Sequence, residues 1–159
     1  MQKISDAYLM IVYAALGTYF LPKLANLQDK NEISKEISNG YKLIMPFVIG
    51  SALVIYFLRD FIIHLLFAKS FGAMRDMFAW QLTGDCFKIA TYLVSYLVLA
   101  KAKTKIFMAT EVIFGISFPL LSYVFINMAG ADGAVMAFAL NYMIYFVLFV
   151  VLYKKGYLF

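Results

Sequence analysis

The sequence predicts an all-α transmembrane protein with five membrane-spanning helices plus a short cytoplasmic amphipathic helix. Three observations predict it. Hydrophobic residues make up 64% of the chain and charged residues only 14%, against about 45–50% and 25% in a soluble domain. Apolar stretches long enough to cross a bilayer recur. Lysines gather in short clusters between those stretches, as they do where basic residues set membrane orientation. The net charge of +5 is therefore read as topology, and no nucleic-acid partner is expected. One cysteine, Cys86, excludes an intrachain disulfide, and one histidine, His64, excludes a clustered His/Cys metal site. No cofactor is expected.

Span one covers residues 4–24. A basic residue before an apolar run also fits a signal peptide, but Asp6 interrupts the start and no small-residue cleavage site follows. Pro22 and Lys23 close the helix at a membrane surface. Residues 25–41 are polar. Ile33 and Ile37 stand four apart beside Glu32 and Lys35, which predicts an amphipathic helix lying on the membrane face. It is read as a surface connector rather than a partner-binding helix.

Span two covers residues 42–58, with Pro46 in its first turns, where early N–H groups lack partners anyway. Arg59 and Asp60 mark the far interface. Residues 61–67 are too short to span and are expected to lie along the surface, with His64 as an interfacial residue rather than a proton relay. Residues 69–72 form the turn. Span three covers residues 76–100, with Trp80 as an interfacial anchor, and ends at Lys101, Lys103 and Lys105. Span four covers residues 105–128, with Glu111 early and Pro119 central. A tight polar turn at 127–133 leads into span five, residues 134–153, closed by Lys154 and Lys155.

Nine basic residues fall on the side of Lys23, Lys101 and Lys154, and four on the side of Arg59 and Arg75. That bias puts the polar loop, the Lys101–Lys105 turn and the C-terminus in the cytoplasm. The N-terminus then lies outside without a targeting device, which suggests that an upstream span precedes it and that this is the C-terminal part of a longer protein.

Span three carries the strongest chemical signal. Gln81, Asp85, Lys88, Tyr92 and Ser95 are spaced four, three, four and three apart, which puts them on one helix face. An ionisable group inside a span costs about 2.5–3.5 kcal/mol to insert. The stripe should therefore face protein or a wet cavity, and Asp85 and Lys88 should pair with each other. The alternatives are a structural ion pair and a substrate or proton site, the default meaning of ionisable residues inside spans. Glu111 is a second candidate proton carrier, in reach of Lys88 or the Lys101–Lys105 cluster, or else an interfacial carboxylate. Asp6, Tyr13 and Gly17 share a face of span one, read as a packing seam in preference to a cavity wall. Asn141 and Tyr145, one turn apart in span five, are expected to bond between helices. No nucleophile elbow, phosphate loop or paired histidine occurs, and the outer loops are too short for a catalytic domain. A transporter is expected, not an enzyme.

Several segments then resemble a known family: residues 4–9, residues 58–61, residues 73–82, Gly84 and Asp85 with Lys88, and residues 96–102. The chain resembles the lipid III and O-antigen flippases, within the multidrug/oligosaccharidyl-lipid/polysaccharide exporter superfamily. The resemblance implies twelve spans in two lobes around a central cavity. Residues 1–159 would be an incomplete C-terminal lobe. It implies movement of an undecaprenyl-pyrophosphate-linked oligosaccharide from the cytoplasmic to the periplasmic leaflet of the bacterial inner membrane. The partners it implies are that lipid-linked substrate, membrane lipids, the missing N-terminal part of the transporter, and a polysaccharide polymerase with its chain-length proteins. Lys88 would meet the pyrophosphate, Asp85 or Glu111 would carry a proton, and Gln81, Tyr92, Ser95 and Asn141 would contact sugars as cavity-lining residues. A structural membrane module without transport, and small-molecule export by the same fold, are the rival readings.

Overall fold

The computed structural model describes residues 2–66 and 74–158, with side chains from 5 to 63 and from 77 to 158. The expected turn at 69–72 and the side chain of His64 lie outside the described residues. Helix α1 (Gln2–Ala15) runs through a π-helical turn (Leu16–Phe20) into α2 (Leu21–Asn26). Then follow α3 (Lys30–Phe57), α4 (Arg59–Leu66), α5 (Met74–Ala100), α6 (Thr104–Ala129) and α7 (Ala131–Lys154). Among the described residues, five helices are long and apolar enough to cross a membrane: residues 5–26 taken together, then α3, α5, α6 and α7. Among the described residues there is no strand.

The polar segment is helical from Lys30 onward, but it does not lie apart from span two. It forms the first turns of α3, which runs unbroken for 28 residues. The reason is a single stripe. Ile33, Ile37 and Gly40 are buried, and the same face continues through Ile44 to Val48 and Ala52. One apolar stripe at helical spacing makes one helix. Pro46 therefore falls in mid-helix and not near the start. It leaves the Lys42 carbonyl without its ladder donor, a defect that spans tolerate where neighbouring groups take over.

Helix α5 is the centre. Of its most apolar stretch 61% is buried, against none of that of α6. It packs on α7, α3, α2 and, less extensively, on α6, α4 and α1. Ile89, Leu93 and Leu97, all fully buried, meet Leu9, Leu16 and Leu24 of the first span and Phe149 of α7. A smaller cluster of Ala52, Ile63, Phe78 and Leu82 ties α3 and α4 to α5. Close approach of α5 to α7 depends on Gly84: a Cβ there would stand 2.5 Å from two ring carbons of Phe138 and 3.1 Å from the Ala139 Cα. Outward, α6 shows Val112, Ile116, Leu120 and Tyr123, a face that in a bilayer meets acyl chains or another apolar helix.

One end of the bundle is tied by its lysines. Lys23 bridges Glu36 at 2.8 Å. Lys101 donates to the Leu27 carbonyl, and Lys103 to the Tyr157 carbonyl at 2.9 Å. The loop after α2, the turn after α5 and the C-terminal residues therefore share that end.

A polar cavity beside helix α5

At mid-length, α5 borders a cavity of about 270 Å³. Its polar lining is Ser5 and Asp6 from α1 with Gln81, Asp85 and Lys88 from α5. Its other walls are Phe114 and Phe118 of α6 and Phe138 and Tyr142 of α7. The two aromatic pairs are each four apart, so each presents two rings on one helix face.

Asp85 is fully buried. Its Oδ1 accepts from Gln81 Nε2 at 3.3 Å, one turn back on the same helix. Its Oδ2 accepts from the Tyr8 hydroxyl at 3.1 Å, across the α1–α5 contact. Both oxygens are thus engaged by neutral donors. The expected Asp85–Lys88 pair does not form. Lys88 Nζ lies instead 3.7 Å from Asp6 Oδ1. Two rings flank the ammonium, Tyr13 at 5.4 Å and Tyr142 at 6.0 Å from their centroids, within cation–π range. Spacing on one helix made the pair possible; donors from neighbouring groups decided otherwise.

Asp6 consequently lines this cavity, whereas Tyr13 packs against the core, as a packing seam requires. Gly17, on the same face, has nothing within 4 Å of its Cβ position. Gln81, Asp85 and Lys88 line the cavity together, but Tyr92, Ser95 and Asn141 do not. Ser95 lies fourteen residues past Gln81, about 21 Å along the axis, and its hydroxyl donates to the Tyr92 carbonyl at 3.3 Å. Tyr92 packs its ring on Tyr13 and Tyr96, at 6.0 and 6.4 Å. Asn141 is buried and accepts from Ser117 at 2.7 Å, joining α7 to α6. Glu111 is exposed and is not the ion-pair partner of Lys88, which is Asp6; it accepts from the Tyr145 hydroxyl at 2.8 Å. Asn141 and Tyr145 therefore both bond between helices.

Four cavity residues had no chemical signal in the sequence. Phe114, Phe118, Phe138 and Tyr142 look like lipid-facing bulk until α6 and α7 are placed. Tyr8 was nearer to legible, since Ser5 and Tyr8 lie three apart on one face. Among the described residues no three potential metal ligands come together. The arrangement offers a buried carboxylate, a partly shielded ammonium and aromatic walls. It can hold an anionic group, or exchange a proton, beside surfaces that suit sugar rings.

The chain is 39% identical over 143 residues to the lipid III flippase of Escherichia coli (strain K12), and equally to that of Shigella flexneri. The match takes in 90% of this chain and 34% of each relative, so the chain spans about a third of the length of the curated relatives it matches. No family model matches it, and no solved structure does. Over nine-tenths of its own length, the chain is a homologue of the lipid III flippases.

Proposed function

We propose that the chain forms part of the C-terminal lobe of a flippase in the bacterial inner membrane, with its C-terminus cytoplasmic. The substrate is an undecaprenyl-pyrophosphate-linked oligosaccharide, either common-antigen lipid III or an O-antigen repeat, moved from the cytoplasmic to the periplasmic leaflet. The observation that carries this reading is Lys88 standing with Asp85 and Gln81 in an aromatic-walled cavity within the spans. A pyrophosphate head needs a cation inside the bilayer, and Lys88 is the one basic residue well within a span of this sequence. Gln81 and Tyr142 offer hydrogen bonds and a ring face to the first sugar. Asp85 sets the charge balance of the site or carries a coupling proton. A cavity of about 270 Å³ lies just below the size of small-ligand pockets, about 300–1,000 Å³. It therefore suits the head group, with the oligosaccharide accommodated in a more open form and the polyprenyl tail left in lipid.

The test is complementation of a flippase-deficient strain by full-length protein carrying Lys88→Ala or Asp85→Asn, at matched membrane abundance. Transport is expected to fall at least tenfold in each. Full activity in both removes the proposed roles. The same cavity volume favours a second reading, export of a small molecule. Labelled lipid-linked sugar and a cationic dye, offered to the same proteoliposomes, separate the two.

A further inference from the structure

We infer that Asp6 is an exchangeable counter-ion for Lys88, holding the ammonium until an anionic head group displaces it. The inference rests on the proposed role of Lys88 and adds a residue to it. An ammonium has three donors. Its carboxylate partner is Asp6 at 3.7 Å, well beyond the roughly 2.7–2.9 Å of a firm charge-assisted bond. The Asp6 side chain is 61% exposed and that of Lys88 only 15%. The carboxylate is therefore the exposed, loosely held member, and the ammonium the more enclosed one. Tyr13 and Tyr142 keep the ammonium in place through their ring faces, which occupy no N–H acceptor position. Asp85 is not its ion-pair partner here, and its oxygens already accept from Gln81 and Tyr8. When Asp6 leaves, Lys88 stays poised at the cavity with donors to fill.

A phosphate-type head has several acceptor oxygens and more charge than one carboxylate, so it outcompetes Asp6. A polyprenyl alcohol has neither, and the Asp6 contact persists against it. Asp6 thus weakens any anion that uses Lys88 by the strength of one loose ion pair, and leaves a neutral head, which does not use Lys88, unaffected.

The experiment measures binding of undecaprenyl pyrophosphate and of undecaprenol to the protein in neutral-lipid nanodiscs. Asp6→Asn should tighten undecaprenyl pyrophosphate about two- to fivefold, the range of an exposed ion pair, and leave undecaprenol unchanged. Asp6→Glu should bind like the parent. In a Lys88→Ala background the Asp6→Asn effect should vanish. Tightening that survives Lys88→Ala, or no tightening while Lys88→Ala weakens binding, overturns the Asp6 assignment and leaves the Lys88 role standing. Equal binding of undecaprenyl pyrophosphate by parent and Lys88→Ala overturns both. Thermal melting of each variant reports on folding, and Asp6, being exposed, tolerates the isosteric change.

Discussion

Replacing Gly84 by alanine tests the α5–α7 contact on which the cavity is built. The added Cβ would stand 2.5 Å from two ring carbons of Phe138 and 3.1 Å from the Ala139 Cα. Carbon atoms pack comfortably at about 3.5–4.0 Å, so the ring must retreat by about an ångström and the α7 backbone by a few tenths. Overpacking of this kind costs about 1–3 kcal/mol. Against it stands helix propensity, which favours alanine over glycine by about 1 kcal/mol. The net expectation is a loss of up to about 2 kcal/mol. Gly50 supplies the control: it sits in α3 with nothing within 4 Å of its Cβ position, so Gly50→Ala should show the propensity gain alone. The two variants should then differ by about 1–3 kcal/mol. At about 2–4 °C per kcal/mol for a chain of this size, that is about 2–12 °C in Tm, read from Trp80 fluorescence in detergent. Phe138→Leu on top of Gly84→Ala should recover part of the loss. Equal melting of Gly84→Ala and Gly50→Ala would refute the close approach. Because Phe138 also walls the cavity, Gly84→Ala should lower transport beyond its effect on abundance.

The remaining predictions concern the polar links. Tyr8→Phe removes one donor to Asp85 and should cost about 1 kcal/mol, between the roughly 0.6 average of interhelical bonds in membranes and the 1.5–3 of bonds to charged groups; thermal melting checks it. Asn141→Leu should change stability by no more than about 1 kcal/mol and keep more than half of the transport activity, since Asn141 serves Ser117 and lies outside the cavity lining; loss of transport at unchanged stability would return it to the substrate path. Deleting Gly17 from the π-turn should rotate the preceding part of α1 by about 100° and take Asp6 and Tyr8 away from α5. Cross-linking of Tyr8→Cys to Asp85→Cys by a short bifunctional thiol reagent, with Cys86 replaced by alanine, should then be lost.

Five spans were legible because length and apolarity alone specify them, and because a polar stripe inside an apolar helix has few meanings. Gln81, Asp85 and Lys88 came from that stripe. What the stripe could not say was where it ends: Tyr92 and Ser95 share its face but sit one to two turns farther along, where aromatic packing takes the place of open space. The start of α3 was misread for a related reason. Polar residues at 30–41 suggested a boundary, while the buried positions Ile33, Ile37 and Gly40 were already in phase with the span. Partner choice was the least legible. A residue three places away on the same helix is always within reach, but Tyr8 and Asp6 come from another element, and only packing brings them in.

That packing has a local cause in the first span. Val12, Leu16, Phe20 and Leu24 are all buried, at three successive intervals of four. On a regular α-helix each interval of four overshoots a full turn by about 40°, so the four positions would drift by about 120°, a third of the circumference. They could not all face the same neighbours. The π-turn at Leu16–Phe20 widens the helix by one residue's worth of rotation and absorbs most of that drift. Burial of Phe20 and Leu24 against α3 and α5 and presentation of Asp6 and Tyr8 to α5 are thereby made compatible on one continuous helix. The site at Asp85 and Lys88 thus depends on a backbone defect some ten residues from the groups it positions, chosen by apolar packing that carries no chemistry of its own.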